Sequence, residues 1–153
     1  MAYRAAAFAV TLLLLLGGCT NNGNAIRPPE GRQPATMTME VTGYCSCGAC
    51  CGWRRSWFGF GPPVISSGVN KGKPKDVGLT ASGTHAHIGT VAADTTVLPF
   101  KTIVHVPGYG YGIVEDRGGA IKGNKLDLWF SSHDAAKQWG RKKIQVQVWK
   151  PEK

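Results

Sequence analysis

Apolar residues gather along this chain in six short runs, each about the length of one strand, and in the first and last they alternate with polar ones. Thr38-Met-Glu-Val-Thr-Gly-Tyr44 sets Met39 and Val41 against Glu40 and Thr42, the period-2 pattern of a strand with one face buried. Gly89 to Ala93, Thr102 to Pro107, Tyr111 to Glu115 and Leu126 to Phe130 read as further short strands. Lys143-Ile-Gln-Val-Gln-Val-Trp149 alternates strictly and makes the last strand. Glycine or proline separates most of the runs, as turn chemistry requires. One segment breaks the period. Ser131-Ser-His-Asp134 opens a helix with Ser132 as its cap and Asp134 in its first turn, and Gly140 ends it. Residues Gly52 to Val77 carry Gly, Pro, Ser and Lys around Trp53, Trp57, Phe58 and Phe60, and read as one long loop. Six strands and one short helix in one small all-β domain predict a closed β-barrel.

The amino terminus lies outside that pattern. Arg4 precedes an apolar stretch from Ala5 to Leu16, too short for a membrane span and suited to a cleaved signal. Leu16-Gly-Gly-Cys19 resembles a bacterial lipobox, which implies cleavage before Cys19 and lipid on that cysteine. The expected organisation is a signal peptide over 1–18, a lipidated flexible tether over 19–36, and the barrel domain over 37–153. Thr20 after the cysteine favours an outer-membrane anchor facing the periplasm in a two-membrane cell. The formal charge of +9 favours anionic envelope polymers or lipid headgroups as partners. An exported lipoprotein is a poor candidate for nucleic acid.

Four further cysteines crowd into Cys45-Ser-Cys47-Gly-Ala-Cys50-Cys51. In an oxidising compartment two disulfides are the expected state, with Cys50 and Cys51 not joined to each other. The alternative is a metal knuckle with His85 or His87 beside it; the spacing lacks the two separated pairs of an ordinary zinc site, and no metal ligand is assigned. Either way the cluster staples a loop.

The chemistry-bearing residues are acids. Asp94, Asp116 and Asp127 each stand at or within a strand run, in a chain with only nine Asp and Glu in all. A carboxylate flanked by apolar strand residues is expensive to place unless it faces a cleft or a partner. Leu126, Leu128 and Trp129 reduce the hydration of Asp127 and raise its pKa, which suits a proton donor. Asp116 tunes it by like-charge repulsion or binds substrate. Asp94 orients substrate or holds the crossing loops. Gly118 and Gly119 allow a turn with positive φ and close approach of a ligand, or form a plain tight turn. Thr80, Ser82 and Thr84 bind hydroxyls of a ligand or bond their own backbone. Trp53, Trp57 and Phe58 stack on a ligand or pack over the barrel. No phosphate loop, Ser/His/Asp set or cofactor fingerprint is present, and no cofactor is expected.

Taken in order, Gly78-Leu-Thr-Ala-Ser-Gly83, Gly89-Thr-Val-Ala-Ala-Asp94, Leu98-Pro-Phe100, Val114-Glu-Asp-Arg-Gly-Gly119 and Leu126-Asp-Leu-Trp-Phe130 resemble the 3D domain, named for three aspartates. That family is similar to the catalytic barrel of membrane-bound lytic transglycosylase A and to a stationary-phase survival peptidoglycan lyase. The resemblance implies a six-stranded double-psi β-barrel and peptidoglycan glycan strands as substrate. It implies Asp127 as catalytic acid, Asp116 as its essential neighbour, and a lytic transglycosylase cleaving the MurNAc-GlcNAc bond to a 1,6-anhydro product. A non-catalytic, expansin-like glycan-binding module is the alternative. Two positions depart from the family pattern: Lys101 stands where glycine is usual, and His85-Ala-His87 replaces a stretch that more often carries Arg and Pro.

Overall fold

The computed structural model describes residues 26–152. The signal peptide and the Cys19 lipidation site expected from the sequence lie outside the described residues. Among the described residues no helix is long and apolar enough to cross a membrane.

Among the described residues the strands and α-helices are, in order, β1 (Ala35–Tyr44), α1 (Gly48–Cys51), β2 (Trp53–Arg55), β3 (Pro63–Ile65), β4 (Thr90–Ala93), β5 (Ile103–Val106), β6 (Gly110–Asp116), β7 (Lys125–Trp129), α2 (His133–Trp139) and β8 (Lys142–Trp149). The six runs of the sequence are β1 and β4 to β8. They close into a barrel of order β1-β7-β4-β6-β5-β8, as their number predicts. The barrel is mixed. β1 runs parallel to β7, and β4 parallel to β6, while the other neighbours are antiparallel.

Alternation decides which side chains go inside. Met39 and Val41 of β1, Leu126 and Leu128 of β7, and Val146 and Val148 of β8 turn into the core, with Val91, Val104, Val106 and Val114 from the remaining strands. Each side chain of this size contributes about 1.5–3 kcal/mol when fully buried. The residues between them, Thr42 and Asp127 among them, therefore stand on the outer face. Helix α2 packs against β1, as Gly43 allows: a Cβ there would lie 2.9 Å from Phe130 Cε2 and 3.1 Å from the Ala136 carbonyl. Its cap is the expected one, with Ser132 Oγ accepting from the Ala135 N–H and Gly140 following the last turn. Trp139 packs edge-on to Tyr109, beside Phe130, and carries the Lys142 ammonium 3.6 Å above its ring.

Two expectations are corrected. The stretch 52–77 is not one loop: β2 and β3 pair as a hairpin, Trp53 opposite Ile65, with Trp57, Phe58 and Phe60 exposed around its tip. Short strands with one side in solvent carry too few apolar residues to announce themselves. The folded domain also begins before residue 37. Strand β1 begins at Ala35, and Arg32 is already fixed, donating to the Lys150 carbonyl and accepting from Trp149 Nε1.

Candidate active site

The outer face carries one row of four side chains across four strands. Thr42 of β1 is the lateral partner of Asp127 on β7. Asp127 is the partner of Ala92 on β4. Ala92 in turn is the partner of Asp116 on β6. Lateral partners share a sheet face, so the two acids stand on either side of one small methyl. A β-bulge makes this possible. The β4–β6 register slips between Val91 and Ala92, so that Val91 meets Val114 but Ala92 meets Asp116. Without the extra residue Glu115 would occupy the row, and bulges commonly re-aim a side chain in this way.

A cleft of about 520 Å³ lies over the row. Asp116, Asp127 and Ala92 line it, with Tyr44, Lys75 and Arg117 among the surrounding side chains. The acids differ in environment. Burial pushes the Asp127 carboxyl above the ordinary carboxylate range; the Thr42 hydroxyl opposes this, and the charge of Asp116 adds to it. Thr42 Oγ1 donates to Asp127 Oδ1 at 2.8 Å, and Oδ2 has no hydrogen-bond partner among the described residues. Asp116 is fully engaged. Its Oδ1 accepts from the Ala81 N–H at 3.0 Å and the Arg117 N–H at 2.9 Å, and its Oδ2 accepts from the Tyr44 hydroxyl at 3.0 Å. Burial, then the Asp116 charge, pushes the Tyr44 hydroxyl pKa up, so Tyr44 remains a donor. One acid is thus poised to hold a proton with a free oxygen, and the other is locked in place.

Asp94, the third acid, is not among the residues lining the cleft. Its Oδ1 accepts from the Thr96 N–H and hydroxyl, and its Oδ2 from the Gly123 N–H at 2.8 Å. These bonds, the one from Gly123 foremost, lower its pKa to about 2. Of its two expected roles, holding the crossing loops is the one its contacts serve.

Thr80 lines the cleft but spends its hydroxyl locally, 3.1 Å from Ser82 Oγ and 2.9 Å from Thr84 Oγ1. Ser82 lies outside the lining, its N–H bonded to the Glu115 carbonyl. Gly118 lines the cleft and Gly119 does not. Neither glycine takes a positive φ, and the Ile121 N–H bonds to the Gly118 carbonyl, so the plain tight turn is the one of the two readings found. What Gly118 supplies is space, since a Cβ there would lie 2.9 Å from Ile121 Cγ1. Lys101 does take a positive φ, +69°. Lys101 thus holds a backbone conformation that glycine enters more freely. His85 and His87 do not approach the cysteines: His87 Nδ1 faces Thr90 and Glu115, at 3.1 Å and 3.8 Å.

Cys45, Cys47, Cys50 and Cys51 lie close together with no S–S bond drawn between them, Cys45 Sγ and Cys50 Sγ standing 3.8 Å apart. The one-turn helix α1 begins just after Cys47 and carries Cys50. Burial pushes the Cys45 thiol up to about 12 and the Cys51 thiol to about 11, whereas the backbone N–H of Cys50 holds Cys47 down at about 7. Ser46 ties this loop to the barrel, its carbonyl accepting from Trp53 Nε1 and its hydroxyl from Trp129 Nε1. The loop forms one wall of the cleft through Ser46, Cys50 and Cys51.

Sequence reasoning missed Thr42, Tyr44 and Ala92. The signal for the first two was present, because they share the outward face of β1 at period 2. Nothing in the sequence marks Ala92, whose place depends on the bulge.

Comparison with known proteins agrees with the motif order. YabE of Bacillus subtilis (strain 168), named as a cell wall shaping protein, is 34% identical over 114 residues, 73% of this chain. YocH of the same organism, named as a cell wall-binding protein, is 40% identical over 75 residues, 46% of this chain. The matches span 22% of YabE and 26% of YocH, about a quarter of each. A solved structure of MltA from Escherichia coli, titled as a lytic transglycosylase fold, aligns at 23% identity and a TM-score of 0.41, over 53% of this chain and 30% of MltA. The family model of the 3D domain matches residues 89–150, from the turn into β4 to the residue after β8, and this part of the chain is a 3D domain.

Proposed function

We propose that the domain acts on peptidoglycan as a lytic transglycosylase, cleaving the β-1,4 bond between N-acetylmuramic acid and N-acetylglucosamine. The observation that carries this reading is the pair of unlike acids across Ala92: Asp127, raised in pKa and open at one oxygen, beside the fixed and fully bonded Asp116. Protonated Asp127 donates its proton to the glycosidic oxygen as the bond to the muramic C1 breaks. Positive charge grows at C1 and is offset by the two carboxylates. Asp127 then takes the proton of the muramic 6-hydroxyl while that oxygen bonds to C1. The product is a 1,6-anhydro sugar, with no water consumed and the acid restored. A single dual-role carboxyl suffices for this, whereas hydrolysis uses two acting on opposite sides of the sugar. Arg117 and Lys75 at the cleft supply positive charge for the carboxylates of an anionic glycan. The names of YabE and YocH support the cell wall as the setting, and the lipobox at Cys19 supports a lipid-anchored position in the envelope at the outer membrane, facing the periplasm.

The second reading is an expansin-like module that binds glycan without cleavage. The name of YocH favours it, as do Trp57 and Phe58, 79% and 104% exposed at the hairpin tip where sugar rings can stack on them. Incubating the full chain in detergent with purified peptidoglycan separates the two. Soluble fragments ending in 1,6-anhydromuramic acid support the transglycosylase. Sedimentation with the polymer and no fragments supports the module and overturns cleavage.

A further inference from the structure

We propose that Cys45, Cys47, Cys50 and His133 form a closed tetrahedral zinc site. Three thiols from one loop and one imidazole from the start of α2 converge, every ligand atom within 4.8 Å of the others. Zinc binds sulfur at about 2.3 Å and imidazole nitrogen at about 2.0–2.1 Å, which in a tetrahedron separates two sulfurs by about 3.8 Å and a sulfur from the nitrogen by about 3.5 Å. Cys45 Sγ and Cys50 Sγ are 3.8 Å apart. His133 Nδ1 lies 3.5 Å from Cys47 Sγ, 3.4 Å from Cys50 Sγ and 4.0 Å from Cys45 Sγ. The thiols surround the ring nitrogen instead of pairing off, as four ligands of one ion do.

Local sequence builds this arrangement. Helix α1 sets Cys47 at its cap and Cys50 three residues on, so both face one side of the turn. Gly48 is required because a Cβ would strike the Trp53 carbonyl, and Gly52 ends the turn at φ +61°. Cys51 points elsewhere, its thiol donating to the Cys45 carbonyl at 3.2 Å, and is not a ligand. With all four positions filled by protein the site is structural and leaves no opening for a reacting water. Thiolate ligands and a neutral imidazole favour zinc over magnesium or calcium. The ion joins the loop after β1 to α2 across 83 residues of chain, and so fixes the cleft wall that carries Ser46, Cys50 and Cys51.

The test is the metal content of the full chain purified in detergent without chelator, measured by inductively coupled plasma mass spectrometry. The expected result is about one zinc per chain. Exchange with cobalt should give the strong visible bands of a tetrahedral ion and a near-ultraviolet thiolate charge-transfer band. His133→Ala and Cys47→Ser should weaken zinc affinity at least about 100-fold, more than loss of an outer hydrogen-bond partner does, and Cys51→Ser should leave it unchanged. In the unsubstituted chain, zinc should protect three of these four thiols from alkylation, a readout that does not depend on how the variants fold. Zinc-free protein lighter by two hydrogens per cysteine pair would overturn the site in favour of disulfides. Zinc retained by both ligand variants would overturn it as adventitious binding. Either failure leaves the cleavage reading untouched.

Discussion

Asp116 and Asp127 flank Ala92 as its lateral partners on two neighbouring strands, and both face one cleft. The geometry places the acids on separate rigid strands and keeps only a methyl between them. Ala92 is therefore a position where size decides. Ala92→Leu is expected to lower glycan cleavage about 100-fold by blocking approach to both acids, the effect of a displacement of about 1 Å at a reacting centre. Its stability cost should be about 1–3 kcal/mol, because overpacking a filled site strains its neighbours. Cleavage rates beside thermal unfolding of the same protein check whether the two effects separate.

The electrostatics of Asp127 predict shifts of opposite sign in the pH–rate profile. Cleavage requires the protonated acid, so the rate falls as pH rises through the raised pKa. Burial is the main cause of that rise, Thr42 opposes it and Asp116 adds to it. Asp116→Asn should move the descending limb to lower pH. Thr42→Val should move it to higher pH. Shifts in the same direction would contradict the assignment of Asp127 as donor.

Asp94 predicts a different pH dependence, one of stability. Its folded pKa, about 2, lies below the ordinary value of about 3.9 for an unfolded Asp. A depressed carboxyl stabilises the fold above the unfolded pKa, and that contribution is lost as pH falls through the folded pKa. Between about pH 4 and pH 2, unfolding midpoints of the unsubstituted protein should fall more steeply than those of Asp94→Asn. At neutral pH the variant should be the less stable, since it gives up the charged acceptor for Gly123 and Thr96.

Lys101 offers a prediction of the opposite kind. Its φ of +69° is strained for any residue with a Cβ, and its backbone N–H is bonded to the Val114 carbonyl. Lys101→Gly should raise stability by about 1 kcal/mol, since only glycine enters this region freely. Lys101 lies outside the cleft lining, so cleavage should be unaffected. Denaturant unfolding alongside the activity assay checks both halves.

The barrel was legible in the sequence because most of its strands bury one face and alternate, β4 being buried throughout; Met39-Glu-Val41 and Leu126-Asp-Leu128 state their inside and outside directly. Asp127 was legible for the same reason, since an acid between the core residues Leu126 and Leu128 has to face outward. What was not legible depends on distance and on backbone detail. The hairpin of Trp53–Arg55 and Pro63–Ile65 buries little and so leaves no period. The bulge that brings Asp116 beside Ala92 has no residue signature. His133, 83 residues beyond Cys50, joins the thiols only because α2 packs on β1. His85 and His87 are nearer in sequence and lie elsewhere. Which of the two readings holds at Gly118 and Gly119 was not legible either: the plain turn forms without positive φ, and what glycine supplies at Gly118 is the space beside Ile121.

The most direct test of the account is mass spectrometry of the products released from purified peptidoglycan by the full chain and by Asp127→Asn, side by side. Asparagine keeps the shape and an acceptor for Thr42 but has no proton to give. The account predicts 1,6-anhydromuramic ends from the unsubstituted protein and a loss of at least about 100-fold in the variant, the upper range for removing a general acid being about 10⁴-fold. Equal release of anhydro products by both proteins, or reducing ends from the unsubstituted one, would contradict it.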